Sequence, residues 1–252
     1  MKNIIKKLCF IMPIFLLMIG CESKNTVEEI NISAAASLKE VMAEIKTEYE
    51  SQNKDVKLTI NYGSSGSLKQ QIEQGAPCDI FISAGQSQVD DLDKDGFLVS
   101  DTIKEFTRNK LALIAPKNST LDNINSLDAD KIKHIGVGYP DSVPAGKYAD
   151  EVLNSLDLKN KVKEKLIFGK DVKEVLAWTS SGNADAGFVY ISDTINNGSV
   201  RVVEIIDEKN HSPIIYPVAI TKSSKKLEES KKLEKFLPSE DVKKILNKYG
   251  YN

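Results

Sequence analysis

Four short segments of small, polar or amide-rich residues lie where a predicted strand ends and a predicted helix begins. Free backbone amides and the helix dipole favour negative charge at such helix N-termini. In open α/β sheets, ligands also bind at this junction. One such segment is weak support, because serine N-caps and glycine turns are common, but four in one chain indicate a site for an anion. They are residues 34–37 (AAAS), 63–66 (GSSG), 143–146 (VPAG) and 170–172 (KDV).

The elements that position these segments follow a regular strand-helix rhythm. The first helix is predicted to begin at Ser37, because Ser37 and Glu40 have the spacing of a capping box. The strongest helical pattern begins at Pro144, since proline favours the first helical position. Asp171 and Glu174 form a second capping box. The alternation predicts an α/β fold with mainly parallel sheets, and two such runs predict two lobes.

The N-terminus predicts export and lipid attachment. Three lysines precede an uncharged apolar run of 12 residues, 8–19, which is too short to span a bilayer. Cys21 directly follows Gly20, which resembles the lipobox of bacterial lipoproteins, in which the cysteine becomes the acylated first residue. We therefore expect a signal peptide at residues 1–20, a tether at residues 21–26 and a lipid on Cys21. The protein would lie on the extracytoplasmic face of the cell membrane.

Charge and cysteine content argue against a nucleic-acid-binding protein and against a fold held by disulfides. Removal of residues 1–20 takes away three lysines and moves the formal charge from −2 to −5, and no lysine-rich block remains to bind nucleic acid. An apolar fraction of 41% suffices for one or two domains with a hydrophobic core. Cys78 then lacks a disulfide partner, and we interpret it as a small buried residue.

The residues do not form the site of an enzyme. A serine nucleophile needs a base, and the two histidines, His134 and His211, lie in segments placed away from Ser37 and Ser65. Residues 63–67 (GSSGS) match neither G-x-S-x-G nor a P-loop. One cysteine and two separated histidines cannot form a soft-metal site. We expect no catalytic residue, no cofactor and no metal held directly by side chains.

Seven segments, taken together and in order, resemble the molybdate-binding proteins of bacterial ABC importers, which are periplasmic-type solute-binding proteins. The match extends over nearly the whole chain after the signal peptide, and the family usually has alanine or valine where Cys78 stands. The segments are residues 34–38 (AAASL), 63–68 (GSSGSL), 75–84 (GAPCDIFISA), 143–149 (VPAGKYA), 171–172 (DV), 185–193 (DAGFVYISD) and 216–219 (YPVA).

The resemblance implies a two-lobed periplasmic-binding-protein-like fold of type II with a hinge between the lobes. Lobe I would comprise residues 27–109 and 217–252, and lobe II residues 110–216. Molybdate or tungstate would bind in the cleft between them. The bound anion would be delivered to the permease and ATPase of an ABC importer, and we expect a monomer.

The resemblance also assigns ligand contacts to five residues. Ser37 and Ser65 would each donate a hydroxyl and a backbone amide, Ala145 and Val172 a backbone amide each, and Tyr190 its phenol. Considered singly, each has an ordinary structural role: the serines as N-caps, Ala145 and Val172 as core residues, and Tyr190 as a core aromatic. Only their joint pattern indicates a site.

Two alternatives stay open at this point. One is a binding protein of the same fold for another anion, such as sulfate, phosphate or a small organic anion. The other is a structural or sensory surface lipoprotein.

Overall fold

The computed structural model describes residues 27–251. The predicted signal peptide, the tether and Cys21 lie outside these residues. No helix within the described range combines the length and apolar character that a bilayer span requires.

The strands are β1 (Glu28–Ala35), β2 (Val56–Gly63), β3 (Ile80–Ile82), β4 (Lys104–Arg108), β5 (Leu111–Pro116), β6 (Ile135–Gly138), β7 (Leu166–Gly169), β8 (Ala186–Tyr190), β9 (Val200–Ile205) and β10 (Ile215–Ile220). The helices are α1 (Lys39–Gln52), α2 (Ser65–Glu73), α3 (Gln86–Lys94), α4 (Pro144–Ser155), α5 (Lys159–Val162), α6 (Val172–Ser181), α7 (Ile191–Thr194), α8 (Leu227–Phe236) and α9 (Glu240–Lys248).

The strands form two five-stranded sheets with the same pattern of strand directions. The first is ordered β2-β1-β3-β10-β4 and the second β7-β6-β8-β5-β9. Three neighbouring strands of each sheet are parallel, and β10 in the first and β5 in the second run against both of their neighbours. Four of the five strands in each sheet therefore run in one direction, and the predicted α/β class is confirmed in the form of two mixed sheets.

Helices cover each sheet and divide the described chain into two lobes. Helices α1, α2, α3, α8 and α9 pack against the first sheet or one another, and we call this body lobe I. Helices α4 to α7 do the same around the second sheet, and this body is lobe II. The chain passes from lobe I to lobe II between β4 and β5, and it returns between β9 and β10. The sequence limits given above for the lobes stay a prediction.

Strand β4 was not predicted from the sequence. Three of its five residues, Lys104, Glu105 and Arg108, are charged and exposed. It lies at the edge of the first sheet and pairs only with β10. A strand on a solvent-facing edge does not need an apolar run, so the pattern that reveals buried strands is missing here.

The predicted capping box at Ser37 is wrong. Helix α1 begins at Lys39, after a 3-10 turn that spans Ala36–Leu38, and no side chain caps it. Ser37 is buried, and its hydroxyl lies 3.0 Å from the hydroxyl of Tyr216 instead of bonding to a helix amide. A buried hydroxyl takes the partner that the tertiary structure supplies, which spacing along the chain does not reveal.

Cys78 agrees with its interpretation as a packing residue. It is buried, and its thiol donates to the carbonyl oxygen of Ile80 at 3.2 Å. Burial raises the pKa of this thiol to about 11. The thiolate, which is the reactive form, is therefore scarce at neutral pH.

Candidate anion-binding site

A small cavity lies between the two lobes, where four helical N-termini converge. The 3-10 turn at Ala36–Leu38 and helix α2 belong to lobe I, and helices α4 and α6 belong to lobe II. The cavity volume is about 10 Å³, which is close to what one water molecule needs. The residues that line it are Ala35, Ala36, Ser37, Gly63, Ser64, Ser65, Ala84, Val143, Pro144, Ala145, Asp171, Val172 and Tyr190.

The structure brings all five sequence-predicted site residues together in this lining. They come from distant parts of the chain and from both lobes. Their contacts with a ligand stay a prediction, because the structure holds no ligand. The residues are Ser37, Ser65, Ala145, Val172 and Tyr190.

Three of these residues occupy the first turn of a helix. Ser65 and Val172 are the first residues of α2 and α6, and Ala145 is the second residue of α4. Backbone N–H groups in a first turn have no intrahelical acceptor. Each of these helices can therefore offer an amide to a group in the cavity, and the helix dipole adds partial positive charge there.

The capping groups leave these first amides available. The hydroxyl of Ser64 accepts from the N–H of Ser67 at 3.3 Å, and Asp171 Oδ1 accepts from the N–H of Glu174 at 2.9 Å. Both caps thus bind the third amide of the helix. The predicted helix start at Asp171 is confirmed, although the carboxylate of Glu174 accepts from Lys170 N–H instead of closing the capping box.

The Ser65 hydroxyl is held as a hydrogen-bond donor. Ser65 is fully buried, and its Oγ accepts from the backbone N–H of Ala84 at 2.9 Å. A hydroxyl carries one proton. Because the oxygen already accepts, that proton is left for a partner in the cavity.

Tyr190 presents a protonated phenol. Its side chain is buried, and burial raises the pKa of the phenol well above its usual value. The hydroxyl lies 3.5 Å from the carbonyl oxygen of Ala84, which is at the limit of a hydrogen bond. The phenol therefore keeps its proton, and its contact with Ala84 is marginal.

The lining is electrostatically almost neutral. None of its thirteen described residues is lysine, arginine or histidine, and Asp171 is the only acid. The Asp171 carboxylate is engaged in capping α6. An anion in the cavity would therefore be held by neutral donors and helix dipoles rather than by a fixed cation.

The lobes contact each other directly beside the cavity. The N–H of Gly66 in α2 donates to the carbonyl oxygen of Ser142 in lobe II at 2.8 Å. A methyl group on Gly66 would lie 2.6 Å from both the Cα and the carbonyl oxygen of Ser142. This contact was not predicted, because glycine in the segment GSSG has an ordinary local interpretation as a turn residue.

An ionic contact also bridges the lobes. Lys173 Nζ lies 2.6 Å from Glu40 Oε2 of lobe I and 2.9 Å from Asp193 Oδ1 of its own lobe. Burial lowers the pKa of Lys173, but the two carboxylates outweigh this and raise it, so the ammonium stays charged. Glu40, Lys173 and Asp193 follow the site residues Ser37, Val172 and Tyr190 by one to three positions, so the ionic contact lies near the cavity along the chain.

Comparison with known proteins places the chain among binding proteins. The family model described as bacterial extracellular solute-binding protein matches residues 30–252. A Bacillus subtilis protein named as a substrate-binding lipoprotein of an ABC transporter, YvgL, is 37% identical and covers 94% of each chain. The molybdate-binding protein ModA of Haemophilus influenzae is 34% identical over 89% of this chain and 90% of its own.

One solved structure is more similar in sequence than these relatives. It is the substrate-binding domain assigned to a molybdenum ABC transporter of Clostridium difficile. The two chains are 60% identical, with a TM-score of 0.70, and the match covers 89% of this chain and 98% of that one. At this identity and coverage, the two-lobed fold is shared over almost the full length of that domain.

Proposed function

The chain belongs to the bacterial extracellular solute-binding proteins, and on this basis we propose that it captures molybdate or tungstate between its lobes for an ABC importer. Members of this family bind solutes and are not enzymes, so the expectation that the chain has no catalytic activity is confirmed. The proposed partners are the permease and ATPase of the importer. We also propose that the protein needs no cofactor and acts as a monomer.

The observation that supports this ligand is the ring of neutral donors around a compact cavity. Ser37 and Ser65 each offer an amide and a hydroxyl, Ala145 and Val172 an amide, and Tyr190 a phenol. About seven hydrogen bonds to a charged ligand, at roughly 1.5 to 3 kcal/mol each, sum to about 10 to 20 kcal/mol. The free-energy costs of desolvating and immobilising the ligand must be subtracted from this sum. Nanomolar affinity needs about 12 kcal/mol, so a tetrahedral dianion can be held without a cation.

Both lobes must contribute to that sum. One lobe supplies only part of the donors and would leave one side of the anion in water. Closure of the lobes around a hinge therefore accompanies binding. The relatives named for molybdate or molybdenum support this anion rather than another of the same shape.

Anion titration tests the proposal. We expect purified residues 22–252 to bind one molybdate or tungstate per chain and to bind sulfate and phosphate more weakly, with cavity size as the proposed basis of the selection. The fluorescence of Trp178, which lies in helix α6 six residues after Val172, provides the signal. Sulfate or phosphate binding as tight as molybdate binding would instead favour a binding protein of the same fold for that anion.

We propose further that Cys21 carries the lipid that holds the protein on the extracytoplasmic face of the cell membrane. The family is described as extracellular, and the YvgL relative is named a lipoprotein. The apolar run before Cys21 supports the same proposal.

Replacement of Cys21 by serine should detach the protein from the membrane. The change removes the thiol that takes the lipid, and no helix within residues 27–251 could span a bilayer in its place. We expect the variant either to keep its signal peptide or to be shed into the medium, as measured by fractionation and mass spectrometry. A Cys78→Ser variant is the matched control and should remain membrane-bound. Normal membrane attachment of a processed Cys21→Ser chain would contradict the lipoprotein proposal.

A further inference from the structure

A cluster of buried tyrosines lies directly beside the cavity. Tyr216 of β10 packs edge-on against Tyr190 and Tyr251, with ring centroids 5.7 Å apart in each pair. All three rings are at most 2% exposed. Buried phenols need hydrogen-bond partners, and the partners of Tyr216 lead to the proposed site.

The hydroxyl of Tyr216 lies between a fixed donor and Ser37. Asn109, where the chain passes from lobe I to lobe II, places its side-chain nitrogen 3.4 Å from the Tyr216 hydroxyl and donates from the same nitrogen to Ser192 at 2.8 Å. The Tyr216 hydroxyl lies 3.0 Å from Ser37 Oγ. An amide nitrogen can only donate. Tyr216 therefore accepts from Asn109, which leaves its own proton available to Ser37.

The protonation state of Tyr216 supports this order. Burial raises the pKa of the phenol well above its usual value, and the neighbouring phenols of Tyr190 and Tyr251 raise it further. The phenol is therefore neutral and keeps its proton under physiological conditions. The resulting order of donation is Asn109 to Tyr216 to Ser37.

We propose that Tyr216 donates to Ser37 and is thereby a positioning residue that fixes the Ser37 hydroxyl as a donor toward the bound anion. The inference rests on the proposed function. Because Ser37 Oγ already accepts from Tyr216, its proton is left for the cavity. Ser65 is held in the same way by the N–H of Ala84.

Tyr251 provides a matched control in the same cluster. Its hydroxyl donates to the backbone carbonyl oxygen of Ser37 at 2.8 Å rather than to the side chain. Loss of that hydroxyl leaves the Ser37 side chain bonded to Tyr216. Tyr216→Phe and Tyr251→Phe therefore remove the same chemical group from the same cluster, but only the first releases the Ser37 hydroxyl.

A double-mutant cycle tests the inference. Molybdate affinity is measured for the unaltered mature chain, for Tyr216→Phe, Tyr251→Phe and Ser37→Ala, and for the Tyr216→Phe/Ser37→Ala double variant. We expect Tyr216→Phe to weaken binding about tenfold and Tyr251→Phe less than about threefold. In the Ser37→Ala background, Tyr216→Phe should add less than about threefold, because its target is already gone.

A second variant tests the same order of hydrogen-bond donation if Tyr216→Phe does not fold. Asn109→Asp puts an acceptor in place of the donor, so the Tyr216 proton turns to it and Ser37 then donates to Tyr216. The added charge acts alike with and without the Ser37 hydroxyl, so it cancels when the loss of molybdate affinity is compared between the two backgrounds. We expect Asn109→Asp to weaken molybdate binding more in the unaltered chain than in the Ser37→Ala variant.

Three outcomes overturn the inference. They are an equal effect of Tyr216→Phe with and without the Ser37 hydroxyl, an effect of Tyr251→Phe as large as that of Tyr216→Phe, or an equal effect of Asn109→Asp with and without the Ser37 hydroxyl. Each leaves the proposed function standing, since the unaltered chain still binds molybdate. Failure of the unaltered chain to bind either molybdate or tungstate overturns the proposed function and this inference together.

Discussion

Replacement of Gly66 by alanine should abolish tight anion binding and leave the fold of each lobe intact. The added methyl group would lie 2.6 Å from the backbone of Ser142, a distance that carbon atoms do not adopt without displacement. Both partners are backbone, so no flexible side chain can move aside. The clash is relieved only if the lobes separate, which also breaks the hydrogen bond from Gly66 N–H to Ser142.

The expected loss follows from the donors that lobe II would no longer supply. With the lobes held apart, Ala145, Val172 and Tyr190 cannot reach an anion seated on lobe I. Three hydrogen bonds to a charged ligand contribute roughly 1.5 to 3 kcal/mol each. Since about 1.4 kcal/mol corresponds to tenfold in affinity, we expect molybdate binding to weaken by at least about a thousandfold.

Stability measurements separate this effect from misfolding. Gly66 lies in the first turn of α2 and does not have a positive φ, and alanine is the better helix former. The thermal unfolding temperature without ligand should therefore not fall. Gly198→Ala is the matched control, because a methyl group there meets no atom within 4 Å. Full-strength binding by Gly66→Ala would mean that the closed arrangement of the lobes is not the one that binds.

The parts of the site that sequence could predict are those set by local pattern. Proline at the start of α4 and aspartate before α6 act on residues within one turn, so Pro144 and Asp171 indicate where the helices begin without knowledge of the fold. The resemblance to the molybdate-binding proteins then connected these helix starts with Ser37, Ser65 and Tyr190. Confirmation of the family by comparison supports that use of the sequence.

The parts that sequence could not predict depend on contacts between distant residues. Ser37 was assigned a capping role because Glu40 stands three residues later, yet its hydroxyl bonds with Tyr216, 179 positions away. The approach of Gly66 to Ser142 likewise joins two lobes that have no local pattern in common. Hydrogen-bond partners and close contacts of this kind are set by the packing of lobe on lobe, so only coordinates reveal them.

Replacement of Val172 by proline should weaken molybdate binding without preventing folding. Val172 is the first residue of α6, where the fixed φ of proline is favourable and the N–H has no intrahelical acceptor to lose. The preceding residue, Asp171, is already extended, with φ −158° and ψ 173°, as a residue before proline must be. Proline at position 145 would be a less specific test, because the residue before it, Pro144, already lies within the helix and a residue that precedes proline disfavours the helical conformation.

The loss should equal one hydrogen bond to a charged ligand. That is roughly 1.5 to 3 kcal/mol, or about tenfold to somewhat over a hundredfold in affinity. Val172→Ala is the matched control, because it also shortens the buried side chain but keeps the N–H, and it should change affinity far less than the proline variant. Titration of both variants with molybdate, together with thermal unfolding, distinguishes a lost amide from lost packing. If the two variants bind alike, the N-terminus of α6 does not present its first amide to the anion, and the lobe II half of the proposed site must be placed elsewhere.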